Sequence, residues 1–207
     1  MTHRRSFVLV LVLALVAAAA TAVPARALES SRVLERELGS SGRAEAHLRY
    51  ATAGMGGGAR TVNALLALEL PERARLDVTS TGEKIVTRPD GGEWLQPSLR
   101  QMLKFRPQQA AAALRWWKVL LGDDSRARER RTGEHTYVVT LLGPGGAPED
   151  SAEVTLNSRG LPLRLAAPAG SPDAQVYRLE GWRFMRPRGP AGFKLAAPAG
   201  YEVVSLP

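Results

Sequence analysis

The sequence predicts a mainly β, α+β fold: an open, unclosed antiparallel β-barrel with an inserted helical lid over an apolar cavity. Three observations predict it. Short runs that alternate polar and apolar residues recur through most of the chain. Gly, Pro, Asp and Ser punctuate them at hairpin-like intervals. One stretch in the middle, 98–121, has helical spacing instead. A wide, curved sheet tends to close or fold onto itself, and helices inserted in its middle can plug the opening.

The N-terminus reads as a secretory signal. His3-Arg4-Arg5 is a basic n-region, Phe7 to Ala20 an apolar h-region, and Ala25-Arg26-Ala27 an A-x-A cleavage site. Cleavage is expected after Ala27, with Ala22 as the competing site. The apolar run is short for a membrane span of about 20 residues. This divides the chain into a signal peptide, 1–27, and a single domain, 28–207. Loss of 1–27 takes away Arg4, Arg5 and Arg26 and no acid, lowering the formal charge from +8 to +5.

That charge is compatible with visits to anionic membrane surfaces. No stripe of Arg and Lys interleaves with stacking aromatics, so nucleic acid is a poor partner. With no cysteine there is no disulfide, zinc–thiolate site or lipidated cysteine. The three histidines, His3, His47 and His135, are far apart, so no metal site is expected.

Leu28 to Leu38 reads as a short amphipathic helix with Val33, Leu34 and Leu38 on one face and Gly39 as its stop. Arg43 to Thr52 reads as a strand, with Ala44, Ala46, Leu48 and Tyr50 on its apolar side. Gly54-Met55-Gly56-Gly57-Gly58 reads as a hairpin tip, since it lacks the strand–GK[ST]–helix context of a phosphate loop. Ala59 to Leu70 returns as a strand apolar on both sides. That pattern suits either a sheet around a cavity or a strand under a helix.

Pro71 to Pro97 reads as an antiparallel meander. Arg75 to Thr79 alternates, Ser80-Thr81-Gly82 turns the chain, and Lys84 to Thr87 is a second strand. Pro89-Asp90-Gly91 is a tight-turn signal before Trp94 and Leu95. Ser98 can cap a short helical turn through Phe105, and Pro107 can open a second helix reaching Leu121. On it, Ala110, Ala113, Leu114, Trp117, Leu120 and Leu121 form one stripe, widened by Trp116 and Val119. Trp116 and Trp117 read either as core packing or as the apolar face of a movable lid.

Arg126 to Arg131 reads as a solvated strand edge. Glu134-His135 has no nucleophile or orienting partner in a recognisable motif, so no catalytic residue and no enzyme is expected. Strands follow at Tyr137 to Leu142, Ala152 to Leu156, Leu161 to Ala166 and Gln175 to Phe184, where Gly181 can mark a bulge. Phe193 to Ala196 reads as the last clear strand. The run [RK]-L-A-A-P-A-G occurs at Arg164 to Gly170 and again at Lys194 to Gly200, which reads as Ala/Pro bias rather than a repeat.

The order of these elements resembles the LolA/LolB-like lipoprotein carrier family. The carrying residues are the P-x-x-x-R segment from Pro71 to Arg75, the run Ile85-Val86-Thr87 with Asp90-Gly91 and Trp94, and Gly160-Leu161-Pro162. The closing pattern from Trp182-Arg183-Phe184 through Phe193 to Pro198-Ala199-Gly200-Tyr201-Glu202-Val203 agrees. The missing cysteine favours the LolA-like periplasmic branch over the lipid-anchored LolB-like one.

The resemblance implies an open barrel closed by helices, no cofactor, and acylated lipoproteins or other lipid cargo as partners. A monomer is expected, with an inner-membrane donor complex and an outer-membrane acceptor. It places lipid contacts at Phe105, Leu114, Trp117, Leu120 and Leu121 on the lid and at Leu66, Leu68, Ile85, Trp94 and Trp182 on the sheet. The best-known carriers have an arginine just before the proline, tied to lid movement; here Leu70 precedes Pro71. That latch does not carry over, which leaves room for another amphiphile as cargo. The same fold serves as a sensor module in RseB-like regulators, which carry a further C-terminal domain for which a chain ending at Pro207 is expected to have no room. Partner binding without lipid would mark that alternative.

Overall fold

The computed structural model describes residues 28–53, 59–107, 109, 116–117, 120 and 126–206. The signal region and the 54–58 tip lie outside them. The described chain forms one open 12-stranded sheet in the order β12-β6-β5-β4-β3-β2-β1-β11-β10-β9-β8-β7. The strands are β1 (Arg43–Ala53), β2 (Ala59–Glu69), β3 (Arg73–Val78), β4 (Lys84–Arg88), β5 (Gly91–Gln96) and β6 (Gln101–Phe105). After the helical insertion come β7 (Ala127–Arg131), β8 (Thr136–Leu142), β9 (Pro148–Leu156), β10 (Pro162–Ala167), β11 (Gln175–Met185) and β12 (Glu202–Ser205). All pairings are antiparallel except β12 on β6. The sheet is not closed into a barrel.

Alternation assigns the two faces. Register sets Ala44, Ala46, Leu48 and Tyr50 of β1 beside Leu68, Leu66, Ala64 and Val62 of β2. The same face continues through Ala74, Leu76 and Val78 on one side and Leu179, Leu165, Val154 and Val139 on the other. These residues belong to one buried cluster, with Leu76 packed against it. Helix α1 (Arg32–Ser41) adds Leu34 and Leu38 to the cluster and touches β1 and β11. This is the inner face.

A bulge keeps β11 in phase with it. Pairing passes from Glu45↔Arg183 to His47↔Glu180, so Ala46 faces both Gly181 and Trp182. Gly181 takes φ 66, a left-handed conformation that glycine adopts without a Cβ clash. Leu179 and Trp182, three residues apart, thereby both become buried on the inner side.

The outer face of β1–β5 is covered by the chain after β11. Its 3-10 turn Pro190–Phe193 lies on β3 and β4 with Phe193 fully buried. Burial of such a ring stabilises by about 1.5–3 kcal/mol. Three buried glutamates on this face are engaged there. Glu69 accepts hydrogen bonds from the backbone N–H groups of Arg188 (2.7 Å) and Gly189 (3.1 Å) and pairs with Arg73. Glu93 accepts from Leu195 N–H at 2.6 Å and from Arg88, while Glu45 pairs with Arg43, Arg183 and Arg188. Arg75 and Arg88 donate to the carbonyls of Gly192 and Phe193.

Three sequence expectations are corrected. The first helix runs Arg32–Ser41, not Leu28–Leu38, and ends at Gly42 (φ 91), whose N–H bonds Leu38 O at 2.7 Å; Gly39 lies inside it. Ahead of its start, the Glu129 carboxylate on β7 takes the N–H groups of Glu29 and Ser30. Of the lid turn predicted over 98–105, only Ser98 and Leu99 are helical, within the 3-10 turn Pro97–Leu99. Gln101–Phe105 is strand β6, because β5 and β12 offer ladder partners on both sides and its alternation puts Leu103 opposite Trp94 and Phe105 opposite Gly92. Phe193 to Ala196 is not a strand: Leu195 N–H is taken by Glu93, and the last strand is β12.

Candidate functional site

Of residues 107–125 between β6 and β7, Pro107, Gln109, Trp116, Trp117 and Leu120 are described, and all are helical. Leu120 is fully buried in the inner cluster, and Trp116 and Trp117 pack against that cluster. Between the tryptophans and the sheet lies a cavity of about 350 Å³ lined by Leu48, Tyr50, Leu76, Trp116, Trp117, Leu165 and Tyr177. This is the low end of small-ligand pockets, about 300–1,000 Å³.

Register explains the lining. Tyr50 on β1 is the direct partner of Tyr177 on β11, which is the partner of Leu165 on β10. Between Leu48 and Leu76 the inner face carries the small, buried Ala46 and Ala64. The Tyr50 and Tyr177 rings are 5.5 Å apart, and Trp117 meets Tyr177 edge-on at 6.0 Å. Such aromatic pairs add about 0.5–1.5 kcal/mol each beyond area burial. Burial holds the Tyr177 hydroxyl above its ordinary value of 10.0. Tyr50 is raised too, first by burial and then by Tyr177 and the Glu83 carboxylate. Glu83 itself accepts the Trp94 indole N–H at 3.1 Å.

The sequence-predicted contacts divide. Trp117 lines the cavity. Leu66, Leu68 and Leu120 are buried in the cluster beside it. Trp182 is buried as well, with its indole N–H on Pro162 O at 2.7 Å and its ring stacked on Phe184 at 6.5 Å. Ile85, Trp94 and Phe105 share the inner face on β4 to β6, outside the cavity lining. Phe105 therefore belongs to the sheet, not to the lid. Leu114 and Leu121 lie outside the described residues.

Leu48, Tyr50, Leu76, Leu165 and Tyr177 escaped the sequence reading as cavity residues. The signal was present in part, because Leu48, Tyr50 and Tyr177 alternate with polar neighbours. Their convergence needs the β1–β11 and β10–β11 registers. Trp116, read as widening the apolar stripe, also joins the lining.

Two other hollows lie on the outer face. A larger one of about 790 Å³ over β7–β10 is lined by Arg130, Thr132, Thr140, Glu149, Asp150 and Glu153 among others. Another of about 360 Å³ includes His47, Arg49, Arg178 and Glu180. Both linings carry charged side chains, whereas the inner cavity is lined by leucines and aromatic rings, which makes it the candidate site for a hydrocarbon ligand. Among the described residues, no group of three or more His, Cys, Asp or Glu is placed to hold a metal.

An uncharacterized conserved protein from Thermus thermophilus has the same overall arrangement: TM-score 0.50 and 12% identity, over 86% of this chain and 100% of that one. A LolA superfamily protein from Nitrosomonas europaea aligns with TM-score 0.46 and 10% identity over 82% of this chain and 97% of its own. The Pseudomonas aeruginosa MucA/MucB complex aligns with TM-score 0.41 and 14% identity, over 82% of this chain and 62% of that one. No family model matches the sequence, and no curated protein matches it either.

Proposed function

We propose that this protein is a periplasmic carrier that holds the acyl chains of lipoproteins, or of a related amphiphile, in the inner cavity and delivers them toward the outer membrane. In this reading residues 1–27 are removed on export. The mature monomer takes cargo from an inner-membrane donor complex and passes it to an outer-membrane acceptor.

The observation that carries the proposal is the apolar cavity between the inner face and a helical insertion bearing Trp116 and Trp117. Each methylene withdrawn from water contributes about 0.8 kcal/mol, so roughly ten of them supply about 8 kcal/mol, from which the freedom lost on association is subtracted. No charged anchor is needed for that. The Lol-like sequence pattern and the secretory signal support the same reading.

Native mass spectrometry of the mature protein purified from the periplasm, followed by solvent extraction, tests it. A bound acyl species or a co-purifying acylated lipoprotein is expected. A protein that stays empty when offered lipoprotein in detergent-free exchange would refute the carrier and leave a sensor or scaffold module that binds a protein partner.

A further inference from the structure

The carrier reading accounts for the apolar lining but not for the two phenols within it. Tyr50 and Tyr177 stand side by side on paired strands, both half-buried and both lining the cavity. Among the described residues neither hydroxyl has a hydrogen-bond partner, whereas the indoles of Trp94 and Trp182 each have an acceptor. Neither is sealed from solvent, so each is a donor that a ligand's acceptor can take in place of water. Phenylalanine would have filled the same space.

We propose that Tyr50 and Tyr177 are specificity-determining residues that donate hydrogen bonds to the ester carbonyl oxygens of a diacyl amphiphile. The hydrocarbon then lies against Leu48, Leu76, Leu165 and Trp117, and the ester linkages lie at the phenols. Two donors on adjacent strands match two acyl esters on neighbouring carbons better than a single free fatty acid. The tyrosine pair is also held in place: the rings contact each other, and Trp117 contacts Tyr177 edge-on. Burial favours the neutral hydroxyl, which keeps both groups as donors across the physiological range.

This inference rests on the carrier reading, and the test separates the two. The mature protein and its Tyr50→Phe, Tyr177→Phe and double variants are titrated with didecanoylglycerol and with didecylglycerol, its ether analogue of equal chain length, both presented in cyclodextrin. Tryptophan fluorescence reports binding, and circular dichroism confirms the fold of each variant. The wild type is expected to prefer the ester. Each single variant should bind the ester about five-fold more weakly and the double variant about 25-fold, for hydrogen bonds of ordinary strength. Ether affinity should fall less in all three, because the ether lacks the carbonyl oxygens and keeps only its chain oxygens as acceptors. Equal ester and ether binding by the wild type, or an equal loss of both in the variants, would overturn the tyrosine assignment while leaving the cavity as a lipid site. A wild type that binds neither lipid would overturn the carrier reading as well.

Discussion

Glu69→Gln is the most informative single change for the outer face. The side chain is fully buried, and its two oxygens accept from Arg73, Arg188 N–H and Gly189 N–H. Glutamine keeps the volume but removes the charge and turns one acceptor into a donor. The charge-assisted bond to Arg73 contributes about 1.5–3 kcal/mol, and an N–H left facing another N–H costs about 1–3 kcal/mol. Together these reach about 3–5 kcal/mol, the range for breaking a buried ion pair. Arg73 retains some exposure, at 18%, which favours the lower half of that range. Urea unfolding should therefore show a stability loss of this size, with a Tm lower by about 6–16 °C for a domain of this length. The inner cavity is on the opposite face, so the lipid affinity proposed for it should be unaltered in the folded variant. A stability loss below about 1 kcal/mol would refute the claim that Glu69 fastens the segment after β11 to the sheet.

Three further outcomes are expected. Trp117→Asp puts a charge in the cavity wall and should weaken lipid binding more than about 100-fold, while far-ultraviolet circular dichroism keeps its β signature; retained binding would remove Trp117 from the site. Gly92→Ala would bring a Cβ to 2.1 Å from the Phe105 ring and 2.6 Å from Val86 O, so overpacking should cost about 1–3 kcal/mol in urea unfolding. Tyr50 and Tyr177 have hydroxyls raised above 10.0 in the folded state, so the stability they contribute is complete below that value and is lost as pH rises through the raised folded values. Melting temperatures taken from pH 8 upward should fall above about pH 10 in the wild type and fall less in the double phenylalanine variant.

Much of the sheet was legible locally. The alternation in Arg43–Ala53 and Thr136–Leu142, the turn at Pro89-Asp90 and the bulge at Gly181 all follow from side-chain period and backbone preference. Gln101–Phe105 was not legible, since five residues with three apolar side chains satisfy a helical turn as well as an edge strand. Only the ladder bonds offered by β5 and β12 decide between them. The cavity was legible as a tendency, an apolar helix stripe facing apolar strand sides. Its membership was not, because Leu48, Leu76, Leu165 and Tyr177 come from four strands spread over most of the chain.

The repeated Leu-Ala-Ala-Pro-Ala-Gly run draws the dividing line. At 165–170 it begins inside β10, with Leu165 and Ala166 buried and paired to β9 and β11. At 195–200 the same six residues form no strand, and the first N–H bonds the Glu93 carboxylate. Local sequence is enough to specify a β-rich chain with one helical insertion, because side-chain periodicity and turn residues act over a few positions. It does not specify which strands become neighbours, where the last strand joins the edge or which side chains meet around the cavity. Those outcomes depend on hydrogen-bond partners and apolar surfaces supplied from distant parts of the chain.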